Sequence, residues 1–378
     1  MKRTLLIGCA LLAALCALGH AADANPRIGS GFKRLLYVTD DAAGEIKLYD
    51  LDRQHEFVRA LKIPATRVRG LSAHAASGQL FFSDDPSNSV CAYDFIHEKI
   101  IWRVNIKTFG GKFPDRLNVT LDGTAVYVPC KQSDKQLVLD AATGARLAEF
   151  AMTKDPHNTF IGEQGRYVYC SARSGGPLYL ADPTTHQVVK TIGPFSGPIR
   201  PFSVNESETL FFANITKLSG FGVGDIASGK VVCEVTHDVP TARRAHPGAA
   251  TPLPHGDQPL SHGLAVRPGS KEVWFLDDAW GYLYVFDITA MPPRHLADVP
   301  LFDDIAQPVG PEHSRWVSFS IDGKYCYTPT RIIDADARKV IGHLADSEKL
   351  VEIDFQDGVP VRVSGQNGGV YPAVPAKK

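Results

Sequence analysis

Seven residues that carry positive charge or an imidazole recur at matching places along the chain: Arg69, Arg116, His157, Arg200, His262 and the pair His313/Arg315. Each precedes a short run of apolar and β-branched residues and stands at the same phase of an internal repeat. Arginines that converge in a concave, partly dry site bind carboxylate or phosphate with paired, charge-assisted hydrogen bonds. The first chemistry to expect is therefore anion recognition, with Arg69, Arg116, Arg200 and Arg315 as ligand-binding residues. The competing reading is architectural. Asp40, Asp41, Asp84, Asp85, Asp277 and Asp278 fall at the ends of neighbouring runs, and each arginine could instead pin an aspartate of the next repeat.

The histidines allow a second chemistry. His157, His262 and His313 open three of the repeats, and neutral imidazoles meeting in one cavity can hold a divalent transition metal, with Asp277 or Asp278 as an oxygen ligand. Such an ion would polarise a carbonyl or activate water, and His157 or His262 would serve as the catalytic base. No local His-x-x-x-His spacing supports the metal, and strand-capping histidines satisfied by hydrogen bonds explain the same residues. Trp280 follows Asp277-Asp278 in a loop and is placed to stack on a sugar or aromatic ligand, whereas Trp102, Trp274 and Trp316 are expected to pack between sheets. Phosphate-loop, dinucleotide-fold and nucleophile-elbow motifs do not occur.

The elements that must position these residues are strands. Val126-Tyr127, Val168-Tyr169 and Leu210-Phe211 lie 42 residues apart in succession. Each repeat reads as an inner strand, a turn, a second strand, a third strand with an aspartate near its end, a tight turn and an outer strand. SHGLAVRPGSKEVWFLDDAWGYLYVFDITA at 261–290 is the clearest copy. A 40–45-residue period with four strands predicts an all-β, seven-bladed β-propeller with four-stranded antiparallel blades, spanning 25–372 as one domain with a tail at 373–378. The first repeat lacks an inner strand, so a segment near one terminus is expected to close the ring and cover the exposed sheet edges. Residues 237–260, proline-rich and without strand pattern, read as a long insertion that carries His237, His246, His255 and Arg243-Arg244. Residues 330–346 read as a second insertion, an extra hairpin, with KLVEIDF and PVRVSG completing the last blade.

These repeats resemble the YVTN-repeat seven-bladed propellers of bacteria. Tyr37-Val38-Thr39-Asp40 differs by one letter from the family's name. DGTAVYVP, DGKYCYTP and GRYVYCSA follow its hydrophobic-Tyr-Val pattern, and DAATGARL at 140–147 follows its turn. The resemblance implies the architecture and little about activity, because relatives include binding proteins, lactonase-like enzymes and large subunits of quinoprotein amine dehydrogenases.

Composition bounds the rest. The chain has 378 residues, is 44% apolar and carries a net charge of −1, so it has ample core and no basic excess for nucleic acid. Lys2-Arg3, the apolar run Leu5–Leu18 and small residues to Ala24 read as a cleaved signal peptide over 1–24, with no membrane span afterwards and a periplasmic or secreted product. Five cysteines remain in the mature part, an odd number with no metal spacing. Three functions fit: a propeller binding an anionic small molecule, saccharide or envelope protein; a metal-assisted lyase or lactonase; or the propeller subunit of a quinoprotein-type redox complex.

Overall fold

A computed structural model describes residues 23–238, 261–269, 271–277, 281–301, 316–328, 331–344, 349–365 and 369–372. They form seven antiparallel sheets arranged as the blades of a propeller, six of them four-stranded. The innermost strands of blades two to seven are Val68–His74, Asn118–Val119, Pro156–Ile161, Ile199–Val204, Ser261–Val266 and Ser318–Phe319. Burial follows position. The inner strands of blades four, five and six are buried at every residue, while the outermost strand of blade five, Lys230–Thr236, alternates exposed and half-buried. The face-to-face contact of neighbouring blades is the core, which is why third and second strands read as nearly continuous apolar runs.

The aspartate near the end of each third strand has one recurring task. Asp50, Asp94, Asp140, Asp182, Asp225, Asp287 and Asp334 each accept a hydrogen bond from a backbone N–H two or three residues on. This turn geometry starts the outermost strand. Those N–H groups hold the Asp182 carboxyl below the usual carboxylate range, and the Ser228 and Thr289 hydroxyl and amide groups do so for Asp225 and Asp287. In the DAATG turn, Gly144 is left-handed at φ +73°, and a Cβ there would come 2.8 Å from the Trp102 ring of the preceding blade. Trp102 Nε1 donates to Ala141 O at 2.9 Å, so the turn and the indole lock two blades together.

The ring closes with Leu350–Gln356, which pairs with Phe32–Asp40 and is the inner strand of blade one. Closure by a terminal segment is as the repeat count requires, but the assignment of blade seven needs correction. Residues 331–334 and 339–343 are its third and outermost strands, not an inserted hairpin. KLVEIDF and PVRVSG, the latter mostly within the strand Val359–Ser364, belong to the first sheet instead. The stretch ending in Asp334 carries the same aspartate turn as every other blade, and this is the feature that identifies it.

The first sheet also continues past its inner strand. Val359–Ser364 pairs with Leu350–Gln356, and Val370–Pro372 pairs with Val359–Ser364. This hairpin crosses toward blade four, where the buried Tyr371 hydroxyl donates to Ile161 O at 2.6 Å. Val363 and Tyr371 join the apolar cluster that includes Leu71, Ala73 and Ile161. The hairpin thus packs against the end of the blade-four inner strand, opposite its start.

Candidate functional site

Backbone irregularity, not strand phase alone, aims the repeat-start residues into the channel. In blade two the inner-strand pairing skips Arg69, passing from Val68 to Gly70; in blade four it skips His157, passing from Pro156 to Asn158. In blade five it skips Arg200 and Pro201, and in blade six His262 and Gly263. An extra residue on one strand turns its side chain out of the pleat. Gly70 leaves no room for a side chain, since a Cβ there would lie 2.6 Å from Leu117 N. Adjacent inner strands therefore come very close at this end.

The structure brings Arg69, Arg116, His157 and Arg200 together. Arg69 Nε lies 3.6 Å from Asp115 Oδ1 and 3.9 Å from Asp85 Oδ2. His157 Nε2 lies 3.7 Å from Asp115 Oδ2. Arg116 is 3% exposed, and its guanidinium carbon sits 3.3 Å from the Trp316 ring centroid. Lys349 Nζ is 5.6 Å from the same centroid, and the His262 ring is edge-on to it at 5.8 Å. Blade three thus meets blades six, seven and one across the axis through a single indole.

Two members of this ring escaped the sequence reading. Lys349 is the entry residue of blade one, missed because its strand was assigned to blade seven. Trp316 is placed in blade seven as Arg116 is in blade three: each stands two residues before the first inner-strand pairing, Ser318 with Tyr327 and Asn118 with Tyr127. It was expected to pack between blades and instead carries a cation–π contact in the mouth. The common register with Arg116 was the signal available for it.

Beside the ring, between blades four and five, lies a cavity of about 420 Å³. Arg173, Arg200 and Lys217 supply its charge, and Ser174, Ser196 and Thr216 its hydroxyls. Asp155 pairs with Arg173 at 2.6 Å. Lys131 stands near this group, and burial lowers its pKa, with the positive charges of Arg173 and Arg69 acting in the same direction.

Several of the aspartates have structural partners other than the repeat-start arginines. Asp85 takes both Nε (2.7 Å) and Nη2 (2.5 Å) of Arg67. Asp84 accepts from Thr66 and Arg67 backbone N–H groups, and Asp41 from that of Val68. Asp40 pairs with Lys47 within its own hairpin at 2.6 Å. Asp277 is buried at a strand end, its Oδ2 3.4 Å from Ser219 Oγ. His313, Arg315, Asp278 and Trp280 lie outside the described residues, as does the insertion from 239 to 260.

His157 is 2% exposed, and burial, reinforced by Arg116, Arg200 and Arg69, drives its pKa well below 6.5. Its Nδ1 bonds Asn158 Oδ1 at 2.6 Å. That bond puts the proton on Nδ1 and leaves Nε2 bare. Among the described residues, neither His157 nor His262 belongs to a set of three histidine, cysteine or carboxylate ligands close enough to share one ion. A depressed imidazole pKa stabilises the fold above the unfolded value near 6.5 and ceases to do so as pH falls. Denaturant unfolding between pH 7.5 and 5 is expected to show wild-type stability declining below pH 6.5 by up to about 1.4 kcal/mol per unit from this residue. His157→Gln should flatten that part of the profile, and an unchanged slope would contradict the neutral assignment.

No protein-family model matches the chain, and no curated protein matches it in sequence. Its likeness is to solved structures. A chain of Kuenenia stuttgartiensis hydrazine synthase superposes with a TM-score of 0.62 at 13% identity, over 82% of this chain and 92% of that one. The dihydro-heme d1 dehydrogenase NirN, solved in complex with DHE, gives 0.54 at 14% identity, over 88% and 75%. At these identities the likeness is one of fold. No helix among the described residues is long and apolar enough to cross a membrane.

Proposed function

We propose that the protein is a binding propeller that takes a small anionic molecule, a carboxylate or phosphate, at the basic end of its channel. The observation that supports this is the convergence of Arg69, Arg116, Arg200 and Lys349 at one mouth, with Arg173 and Lys217 around the adjoining cavity. A volume of about 420 Å³ suits a small molecule. Guanidinium groups in such a recess bind anions more strongly than lysines on an open surface, because the charges are poorly screened. Buried Asn158 Nδ2 and Trp316 Nε1 make no hydrogen bond to the described residues, which adds two neutral donors to the same region.

The reading extends to an exported protein of the YVTN-repeat type, on the strength of the repeat motifs and the apolar N-terminal run. Saccharide acids and a protein with an acidic segment are further candidate occupants. The lyase or lactonase reading draws less support, since His157 and His262 do not converge into a ligand set among the described residues. The redox-subunit reading draws on the YVTN-repeat resemblance and on the names of the two similar structures, and co-purification with a partner bearing a redox centre would test it.

Calorimetric titration of the purified protein with inorganic phosphate, citrate and glucuronate tests the main proposal. Saturable binding of one of them, retaining most of its affinity between about 50 and 500 mM salt, is the expected result. Indifference to all three, together with no retention on an immobilised polyanion, would remove it.

A further inference from the structure

Away from the mouth, the outer seam between blades five and six holds a second cluster of chemical groups. His237 directly follows the outermost strand of blade five, and His295 and Asp298 lie on the outermost strand of blade six, Arg294–Pro300. In a regular strand, residues three apart point to opposite faces. Here the pairing passes from Phe286–His295 to Val285–Ala297, skipping Leu296, and the skip returns His295 and Asp298 to one face. His237 arrives on that face from the neighbouring blade. Ser219 fixes it twice, accepting from His237 N at 2.9 Å and donating from Oγ to His237 O at 2.8 Å.

The three side chains are poised on one point. His237 Nε2 lies 3.0 Å and His295 Nε2 2.7 Å from the same atom, Asp298 Oδ1. The two imidazole rings stack at 4.2 Å with a 25° interplanar angle. Tyr284 lies beneath His237 with ring centroids 4.5 Å apart, and Phe286 stands 5.3 Å from His295. The aromatic floor limits where the rings can move. The open side faces solvent, with side-chain exposures of 19% for His237, 37% for His295 and 29% for Asp298.

We propose that His237, His295 and Asp298 form a binding site for a divalent transition-metal ion that joins the outer edges of blades five and six. Ligand atoms about 2.1 Å from one ion stand about 3.0 Å apart at right angles and about 3.4 Å apart at tetrahedral angles, so the separations found here need to open by only a few tenths of an ångström to admit one. Two imidazoles and a carboxylate suit Zn²⁺, Co²⁺, Ni²⁺ or Cu²⁺ better than Mg²⁺ or Ca²⁺, which prefer all-oxygen shells. Water would complete the coordination on the exposed side. This site stands apart from the anion-binding mouth and does not depend on it.

Tag-free protein stripped with a chelator and dialysed is titrated with Zn²⁺ by calorimetry at pH 7.5, and with Co²⁺ by visible absorption. One ion per chain is expected, with a dissociation constant of about 10 µM or tighter. His295→Ala and Asp298→Asn should each weaken it roughly tenfold or more, while His97→Ala, at an exposed histidine elsewhere, should not. Circular dichroism establishes that each variant is folded, and Zn²⁺ should raise the melting temperature of the wild type but not of Asp298→Asn. Absence of binding up to about 100 µM metal, or binding undiminished in both site variants, overturns the proposal.

Discussion

Arg200→Glu is expected to reduce affinity for the bound anion by about 100-fold or more, the largest single effect on binding that the mouth offers. Arg200 is 5% exposed, stands near His157 and lines the cavity it shares with Arg173 and Lys217. A hydrogen bond to a charged group contributes about 1.5–3 kcal/mol, so removal of the guanidinium alone accounts for roughly ten- to hundredfold. A carboxylate in its place then repels the ligand in a recess where salt screens poorly. Arg173 cannot fully compensate, because Asp155 already engages it. Arg53→Glu, at an exposed strand-edge pair with Glu56, is the matched control for net charge. Calorimetry with the phosphate, citrate or glucuronate bound by wild type reads both variants. Equal affinity in Arg200→Glu and wild type would place the anion elsewhere.

The architecture was legible because propeller blades repeat their chemistry. Spacing between aromatic pairs, the aspartate before each outermost strand and the glycine turns all have local causes, and local causes leave local marks. The seventh blade was misassigned where the aspartate turn at Asp334 was read as decoration. The entry residues were legible as a class, since Arg69, His157, Arg200 and His262 do stand at equivalent strand starts. What sequence could not supply was their direction. Each sits at a register skip, and the skip is set by how closely inner strands crowd near the axis, as at Gly70. A contact such as Arg116 on Trp316 joins residues from blades three and seven, and only closure of the ring determines that they meet.

The same limit explains the outer cluster. His237 and His295 are far apart in sequence and belong to different repeats. His295 and Asp298 look mis-phased for one face until the skipped Leu296 is counted. All seven pairings of third with outermost strand carry such a skip, so the bulge is a regular part of the blade and converts spacing i, i+3 into a shared face. A repeat-wise search for His or carboxylate at those two offsets would have found the pair.

Closure of the ring should itself depend on alkaline pH through Glu352. This residue and Asp354 lie two apart on the closing strand and are fully buried. Arg362 on the next strand donates to Asp354 Oδ2 through Nε at 3.0 Å and Nη2 at 2.6 Å, and Ile321 N donates to Glu352 Oε2 at 2.7 Å. The guanidinium bonds Asp354 alone, while Glu352 accepts from the backbone. Burial raises the Glu352 pKa well above its usual value, and the charge of Asp354 adds to the rise. Asp354 is also raised by burial, with Arg362 opposing. A raised folded pKa contributes stability that is complete below the unfolded value near 4.5 and is lost as pH climbs through the folded value. Wild-type melting temperature should therefore fall from about pH 5 toward pH 9 in part through this pair. Glu352→Gln keeps the shape and the acceptor for Ile321 N while removing the proton equilibrium. It should match wild type near pH 5 and exceed it at pH 9 by several degrees, the equivalent of about 2 kcal/mol or more. Glu352→Ala should lose stability at every pH, because Ile321 N is then a buried donor without its acceptor, at about 1–3 kcal/mol. Parallel melting curves for wild type and Glu352→Gln across that range would show that the carboxyl pair does not hold its proton on folding.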